Sequence, residues 1–136
     1  MDRPRARSFR DLIVWQKGIE LCLRVYEAYS SFPRSELYGL TDQMKRASVS
    51  ISSNIAEGQA REHVAESIAN GSLAELDTQR IVAERLRFLS RETSSGLEQR
   101  ITEIRKMLYV QTEGQKPKTL HRKLKTGYDP RTLATN

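Results

Sequence analysis

The stretch Leu40-Thr41-Asp42-Gln43-Met44-Lys45-Arg46-Ala47-Ser48-Val49-Ser50-Ile51-Ser52-Ser53-Asn54-Ile55-Ala56-Glu57-Gly58 decides the fold. Leu40, Met44, Ala47, Ile51 and Ile55 recur at three- and four-residue steps, the period of one helix face. Gly58 reads as a left-handed cap that ends the helix at about Glu57. A polar row, Gln43, Arg46, Ser50, Asn54 and Glu57, runs beside the apolar one. At about 100° per residue the row fills a sector of about 80°, centred roughly 90° from the apolar face. It therefore lies at a seam between helices. Three readings stand: a solvated helix edge, a buried or interfacial network that fixes helix register, or a catalytic site. Ala47, Ser48, Ser50, Ser52, Ser53 and Ala56 are small and let neighbouring helices come close.

Upstream, a helix is expected from about Phe9 to Ser30. Ser8 and Asp11 have the spacing of a capping box, in which the hydroxyl accepts a backbone N–H and the carboxylate reaches back. Phe9, Leu12, Ile19, Leu23 and Tyr26 form one apolar line, and Trp15, Cys22, Val25 and Tyr29 a second. Two lines carry more apolar surface than one neighbour within the chain covers, so the helix is either deeply buried or packed on another subunit. Phe32-Pro33 ends it, because proline disfavours helical geometry in the residue before it, and Gly39 marks a further bend.

Downstream, the pattern predicts a third helix from Glu62 to Arg91, with Val64, Ile68, Leu73, Leu76, Ala83, Leu86 and Leu89 as its apolar face. Gly71 in its interior costs about 1 kcal/mol relative to alanine, which another backbone approaching there would explain. Arg80, Arg87 and Arg91 share a side with Glu84 among them. An Arg80–Glu84 ion pair is the favoured reading and a phosphate-facing strip the other. Thr93 to Gly96 reads as a turn and Ser95 with Glu98 as a capping box. Leu97, Ile101, Ile104, Leu108 and Gln111 then keep a/d spacing along a fourth helix. Four helices with short turns, and no strand-like alternation, give an all-α, antiparallel up-down-up-down bundle. The expected division is a basic arm over 1–8, the bundle over 9–113 and a basic tail over 114–136.

Charge is concentrated at the ends. The chain has 136 residues and a net charge of +6, yet its middle, residues 11–113, holds more acidic than basic side chains. The excess sits in Arg3, Arg5 and Arg7 and, after Gly114, in Lys116, Lys118, Arg122, Lys123 and Lys125. Basic tails attract polyanions through counterion release without reading sequence. Solvated tails that merely aid solubility are the plainer alternative. Leu120, Leu124 and Tyr128 punctuate the tail and would serve as anchors in a protein groove.

Several function classes are excluded. No apolar run approaches the roughly 18 residues that span a membrane. The first residues lack the apolar core of a signal peptide, and Cys22 is the only cysteine, so a cytoplasmic protein is expected. Gly58, Gly71, Gly96 and Gly114 are isolated and build no phosphate loop. His63 and His121 lie far apart with no cysteine beside them, so neither metal nor cofactor is expected. No constellation specifies a reaction.

The ordered motifs resemble one family. Phe9, Asp11-Leu12 and Val14-Trp15-Gln16-Lys17 come first. Phe32-Pro33, Tyr38-Gly39-Leu40-Thr41-Asp42-Gln43, Arg46-Ala47, Ser50-Ile51 and Asn54-Ile55-Ala56-Glu57-Gly58 follow. Gly71-Ser72-Leu73-Ala74-Glu75-Leu76-Asp77-Thr78-Gln79 completes the set. Together they resemble the bacterial four-helix-bundle proteins named for 23S rRNA intervening sequences, over most of residues 9–111. The resemblance implies a ring-like homopentamer without enzyme activity. It also implies kinship with accessory proteins of diversity-generating retroelements, which bind a reverse transcriptase and nucleic acid. RNA is favoured over DNA on this ground alone. The stretch from Gly58 to Gly71 is shorter than the family's, Gln59-Ala60-Arg61-Glu62-His63-Val64 replaces an aromatic-rich helix start, and the basic extension is longer.

The resulting expectation is a non-catalytic homo-oligomeric adaptor that binds nucleic acid through its basic ends, with Arg80, Arg87 and Arg91 as further phosphate contacts. The alternative is a protein-binding scaffold, such as an accessory subunit of a reverse transcriptase.

Overall fold

A computed structural model describes residues 8–60 and 64–115. Among them there are four long helices and no strand: α1 Ile13–Ala28, α2 Leu40–Ala60, α3 Val64–Arg85 and α4 Arg91–Gln115. α1 packs on α2 and α4, and α3 packs on the same two helices. Pairing order gives the directions. Cys22 meets Ser48 and Tyr29 meets Lys45, so α1 and α2 run opposite ways. Lys17 pairs with Glu103 and Glu20 with Arg100, so α1 and α4 do too. Arg80 reaches Ser94 and Asp77 reaches Arg105, which sets α3 against α4 in the same manner.

One core runs through the bundle. Its largest wholly enclosed side chains are Leu21, Met44, Ile51, Leu73, Leu76, Ile101, Ile104 and Leu108. The apolar faces expected for α2 and α4 are therefore the buried ones, from Met44 to Ile55 and from Leu97 to Leu108. The side chains of Val64 and Gln111 lie outside the described residues.

α1 differs from expectation in two ways. The Ser8–Asp11 capping box is present, but it opens a short 3-10 turn over Phe9–Asp11. Leu12 is extended, and α1 starts after it. The buried line is Val14, Gly18, Leu21, Val25 and Ala28, whereas Ile19, Leu23 and Tyr26 face outward. Gly18 explains the choice. A Cβ there would stand 2.5 Å from Ser52 Oγ of α2, so glycine opposite serine sets the helix separation.

The other glycines correct the sequence reading. Gly58 lies inside α2, and no described glycine has positive φ. Gly71 is exposed, and a Cβ on it would touch nothing within 4 Å, so no backbone approaches there. These two environments predict opposite responses. Gly71→Ala is expected to stabilise the fold by about 1 kcal/mol through helix propensity. Gly18→Leu is expected to destabilise it by roughly 3 kcal/mol through overpacking. Urea denaturation of both variants checks this, and a loss of stability in Gly71→Ala would contradict the open environment.

α3 ends at Arg85, not Arg91. Phe88 N–H donates to Ala83 O at 2.9 Å and Arg87 N–H to Glu84 O at 2.9 Å, the paired bonds of a Schellman cap. Arg87 takes the left-handed position, with φ 65°. Thr93 to Gly96 is not a turn but the opening of α4. The capping residue is Ser90, whose Oγ accepts the Thr93 N–H at 3.1 Å, so Ser95 and Glu98 do not start the helix. No helix among the described residues is long and apolar enough to cross a membrane.

Candidate functional site

The polar row on α2 divides in two. Ser50 and Asn54 form a part-buried network with α3. Ser50 Oγ lies 2.9 Å from Ser72 Oγ, while Asn54 Nδ2 donates to Ser50 O at 2.7 Å and to Ser50 Oγ at 2.9 Å. Ser72 is itself buried. Gln43, Arg46 and Glu57 are exposed instead, and Arg46 pairs with Asp42 one turn away on the same helix. An interhelical hydrogen bond and a solvated edge thus both exist on this row, at different residues. Sequence spacing could not identify Ser72, because nothing local distinguishes it from any other helical serine.

Arg80 is spent inside the bundle. It is 5% exposed. Its Nε and Nη2 each lie 2.9 Å from Asp77 Oδ1, and its Nη1 donates to Ser94 Oγ at 2.8 Å. Ser94 in turn donates to Glu84 Oε2 at 2.8 Å, and Glu84 and Glu98 also pair with the guanidinium. The expected Arg80–Glu84 pair is there, within a larger cluster that ties α3 to the start of α4. A phosphate strip of Arg80, Arg87 and Arg91 along the third helix is corrected: Arg80 is enclosed, Arg87 lies past the helix end and Arg91 begins α4. Arg87 and Arg91 are exposed. Arg3, Arg5, Arg7, Lys116, Lys118, Arg122, Lys123 and Lys125 lie outside the described residues.

Apolar surface is left on both sides of the outer edge of α2. On one side are Ile19, Leu23 and Tyr26 of α1 together with Val49 of α2. On the other are Ile68, Val82 and Leu86 of α3. By helical angle these three lie on the flank of α3 that carries Ser72, the flank turned towards α2. Lys45 Nζ sits over the rings of Tyr26 and Tyr29, at 5.4 and 4.9 Å from their centroids. Burial pushes the Tyr29 phenol above the usual tyrosine range, and neighbouring Tyr26, Cys22 and Asp42 add to the effect. The phenol therefore stays neutral.

A cleft of about 490 Å³ opens where the end of α1 meets the start of α4, between Arg24, Ala28, Thr93, Leu97 and Arg100. Its guanidiniums are engaged, Arg24 with Glu27 at 2.8 Å and Arg100 with Glu20 at 2.9 Å. Among the described residues no group of three His, Cys, Asp or Glu side chains is placed to hold a metal ion.

Residues 10–110 match the family model of the 23S rRNA-intervening sequence proteins. The chain belongs to this family. Among solved structures, it is similar to a protein of unknown function from the S23 ribosomal protein family of Bacteroides thetaiotaomicron. The TM-score is 0.64 at 22% identity, over 71% of this chain and 94% of that one. At that identity the likeness concerns the fold. A search of curated proteins finds no match. The matched residues of this family member contain all four helices nearly to the end of α4, with the α2 row and the Arg80 cluster inside them.

Proposed function

We propose that this family member is a non-catalytic, homo-oligomeric adaptor that holds nucleic acid, RNA in preference to DNA. The observation that carries the reading is the pair of apolar flanks on α1 and α3, either side of the polar edge of α2. Exposed apolar side chains gathered on particular helix faces favour association. The two flanks belong to different helices, so copies meeting through them associate head to tail, and such contacts close into rings when the rotation allows. A homopentamer is the ring that the family resemblance implies. Assembly gathers the basic ends, and several weak phosphate grips on one strand combine into avid binding. The preference for RNA is supported by the family's name, which refers to 23S rRNA.

Sedimentation of the full chain and binding of a labelled RNA across a salt series test the two halves of this reading. The expected mass is near five times the 15.6 kDa of one chain. Removing residues 116–136 deletes Lys116, Lys118, Arg122, Lys123 and Lys125. It is expected to lower the slope of log affinity against log salt by about 3.5, if these five contact single-stranded phosphates. Equal affinity and equal slope for both proteins would remove the tail from the mechanism. A well-packed single copy at micromolar concentration would remove the ring.

A further inference from the structure

One end of the bundle brings together the α1–α2 and α3–α4 connections. Ser31 Oγ donates to Phe88 O at 2.7 Å, and the Phe32 and Phe88 rings lie 5.6 Å apart. Arg34 and Tyr38 stand on the first connection, Arg85 at the end of α3, Arg87 on the second connection and Arg91 at the start of α4. All four arginines are exposed, and among the described residues none has an ion-pair partner or a side-chain hydrogen bond. This contrasts with Arg24, Arg80 and Arg100, each held by a carboxylate. Of the nearby acids only Glu84 is paired with a cation, so four guanidiniums face two remaining carboxylates. Glu84 is held by Ser94 and Arg80, which leaves Glu92 and Glu36, the latter accepting the Leu40 N–H. Tyr38 is 91% exposed, more than any other large apolar or aromatic side chain of the described bundle.

Arg87 adds an independent sign. It fills the left-handed C′ position of the α3 cap, where glycine is the default and a Cβ is penalised. An arginine that served only as a solvated surface residue would gain from being glycine there. Strain kept at an exposed, unpaired cation points to a use for the cation.

We infer that this end of the bundle is a platform for single-stranded RNA, with Arg34, Arg85, Arg87 and Arg91 contacting phosphates and Tyr38 stacking on a base. Aromatic stacking requires an unpaired base, and guanidiniums around it track the backbone, the combination by which proteins hold single strands. This rests on the nucleic-acid reading above but locates binding on the folded bundle, not on its basic ends alone.

The test uses the full chain with a fluorescent 20-nucleotide oligouridylate, the matching oligodeoxyuridylate and an RNA duplex of equal length. Arg87→Gly is expected to raise Tm by about 4 °C, because it relieves the left-handed strain. The same variant is expected to weaken oligouridylate binding several-fold. Stability and affinity thus move in opposite directions, which a merely structural role does not produce. Tyr38→Ala is expected to weaken single-strand binding about tenfold and to leave duplex binding unchanged. Loss of affinity for oligouridylate alone, and not for the DNA strand, would mark recognition of the ribose. Wild-type affinity in both Arg87→Gly and Tyr38→Ala, in a chain that binds RNA, overturns the platform and leaves binding to the tails. Absence of RNA binding by the unaltered chain overturns the nucleic-acid reading itself.

Discussion

Arg80→Met is expected to destabilise the bundle by about 3 kcal/mol, the cost of breaking a buried ion pair from one side. The guanidinium is 5% exposed and makes its shortest contacts with Asp77, at 2.9 Å, and Ser94, at 2.8 Å. Its loss leaves Asp77 with only Arg105 at 3.9 Å, and takes from Ser94 a donor and from Glu84 its cation. The carboxylates are partly solvated, which holds the estimate at the lower end of the usual range for buried pairs. A surface pair would contribute well under 1 kcal/mol, so the two outcomes are far enough apart to distinguish. Lysine should not rescue the variant, since one ammonium cannot reproduce the fork that holds Asp77 and Ser94 together. Urea titration at fixed protein concentration reads the change. Arg80→Met combined with Asp77→Asn and Glu84→Gln is expected to recover most of the loss, because no charge is then stranded. A loss below 1 kcal/mol for Arg80→Met alone would mean that the cluster behaves as a surface feature.

The second large effect concerns assembly. Leu23→Glu is expected to convert the proposed oligomer to single chains while leaving far-UV dichroism unchanged. Leu23 is 58% exposed on one copy, so a carboxylate there costs that copy little. If another copy covers the α1 flank, the same carboxylate must be desolvated without a partner, at several kcal/mol per copy around a ring. Ile13 is as exposed but lies about 120° away from Ile19 around α1. Ile13→Glu therefore serves as the control and should keep the mass of the unaltered chain. Sedimentation equilibrium of the two variants decides the matter. If Leu23→Glu sediments as the unaltered oligomer does, the α1 flank is not the contact.

The elements that could be read from the sequence are those decided locally. The Ser8–Asp11 capping box needs only neighbours three residues apart, and it is present. The faces of α2 and α4 each have one dominant apolar line, and those lines are buried. α1 is ambiguous in sequence because its turns offer several lines of comparable apolarity. Hydrophobicity ranks Leu23 above Gly18, yet Gly18 is the residue packed against Ser52, where a Cβ would crowd the serine hydroxyl, and Leu23 faces outward. The α3–α4 boundary escapes local patterns for a related reason. Ser90 with Thr93 and Ser95 with Glu98 both resemble helix starts. The Arg87 cap breaks the helix without a glycine to announce it.

Periodicity alone determined that the chain is helical and where the inward faces of α2 and α4 lie, because side-chain direction repeats with the helix turn whatever packs against it. Only tertiary structure decided that Arg80 is internal while Arg87 and Arg91 are free, that Ser50 bonds to Ser72, and which side of α1 faces solvent. Those outcomes depend on distances between residues far apart in the chain, and no local pattern encodes a distance across the bundle.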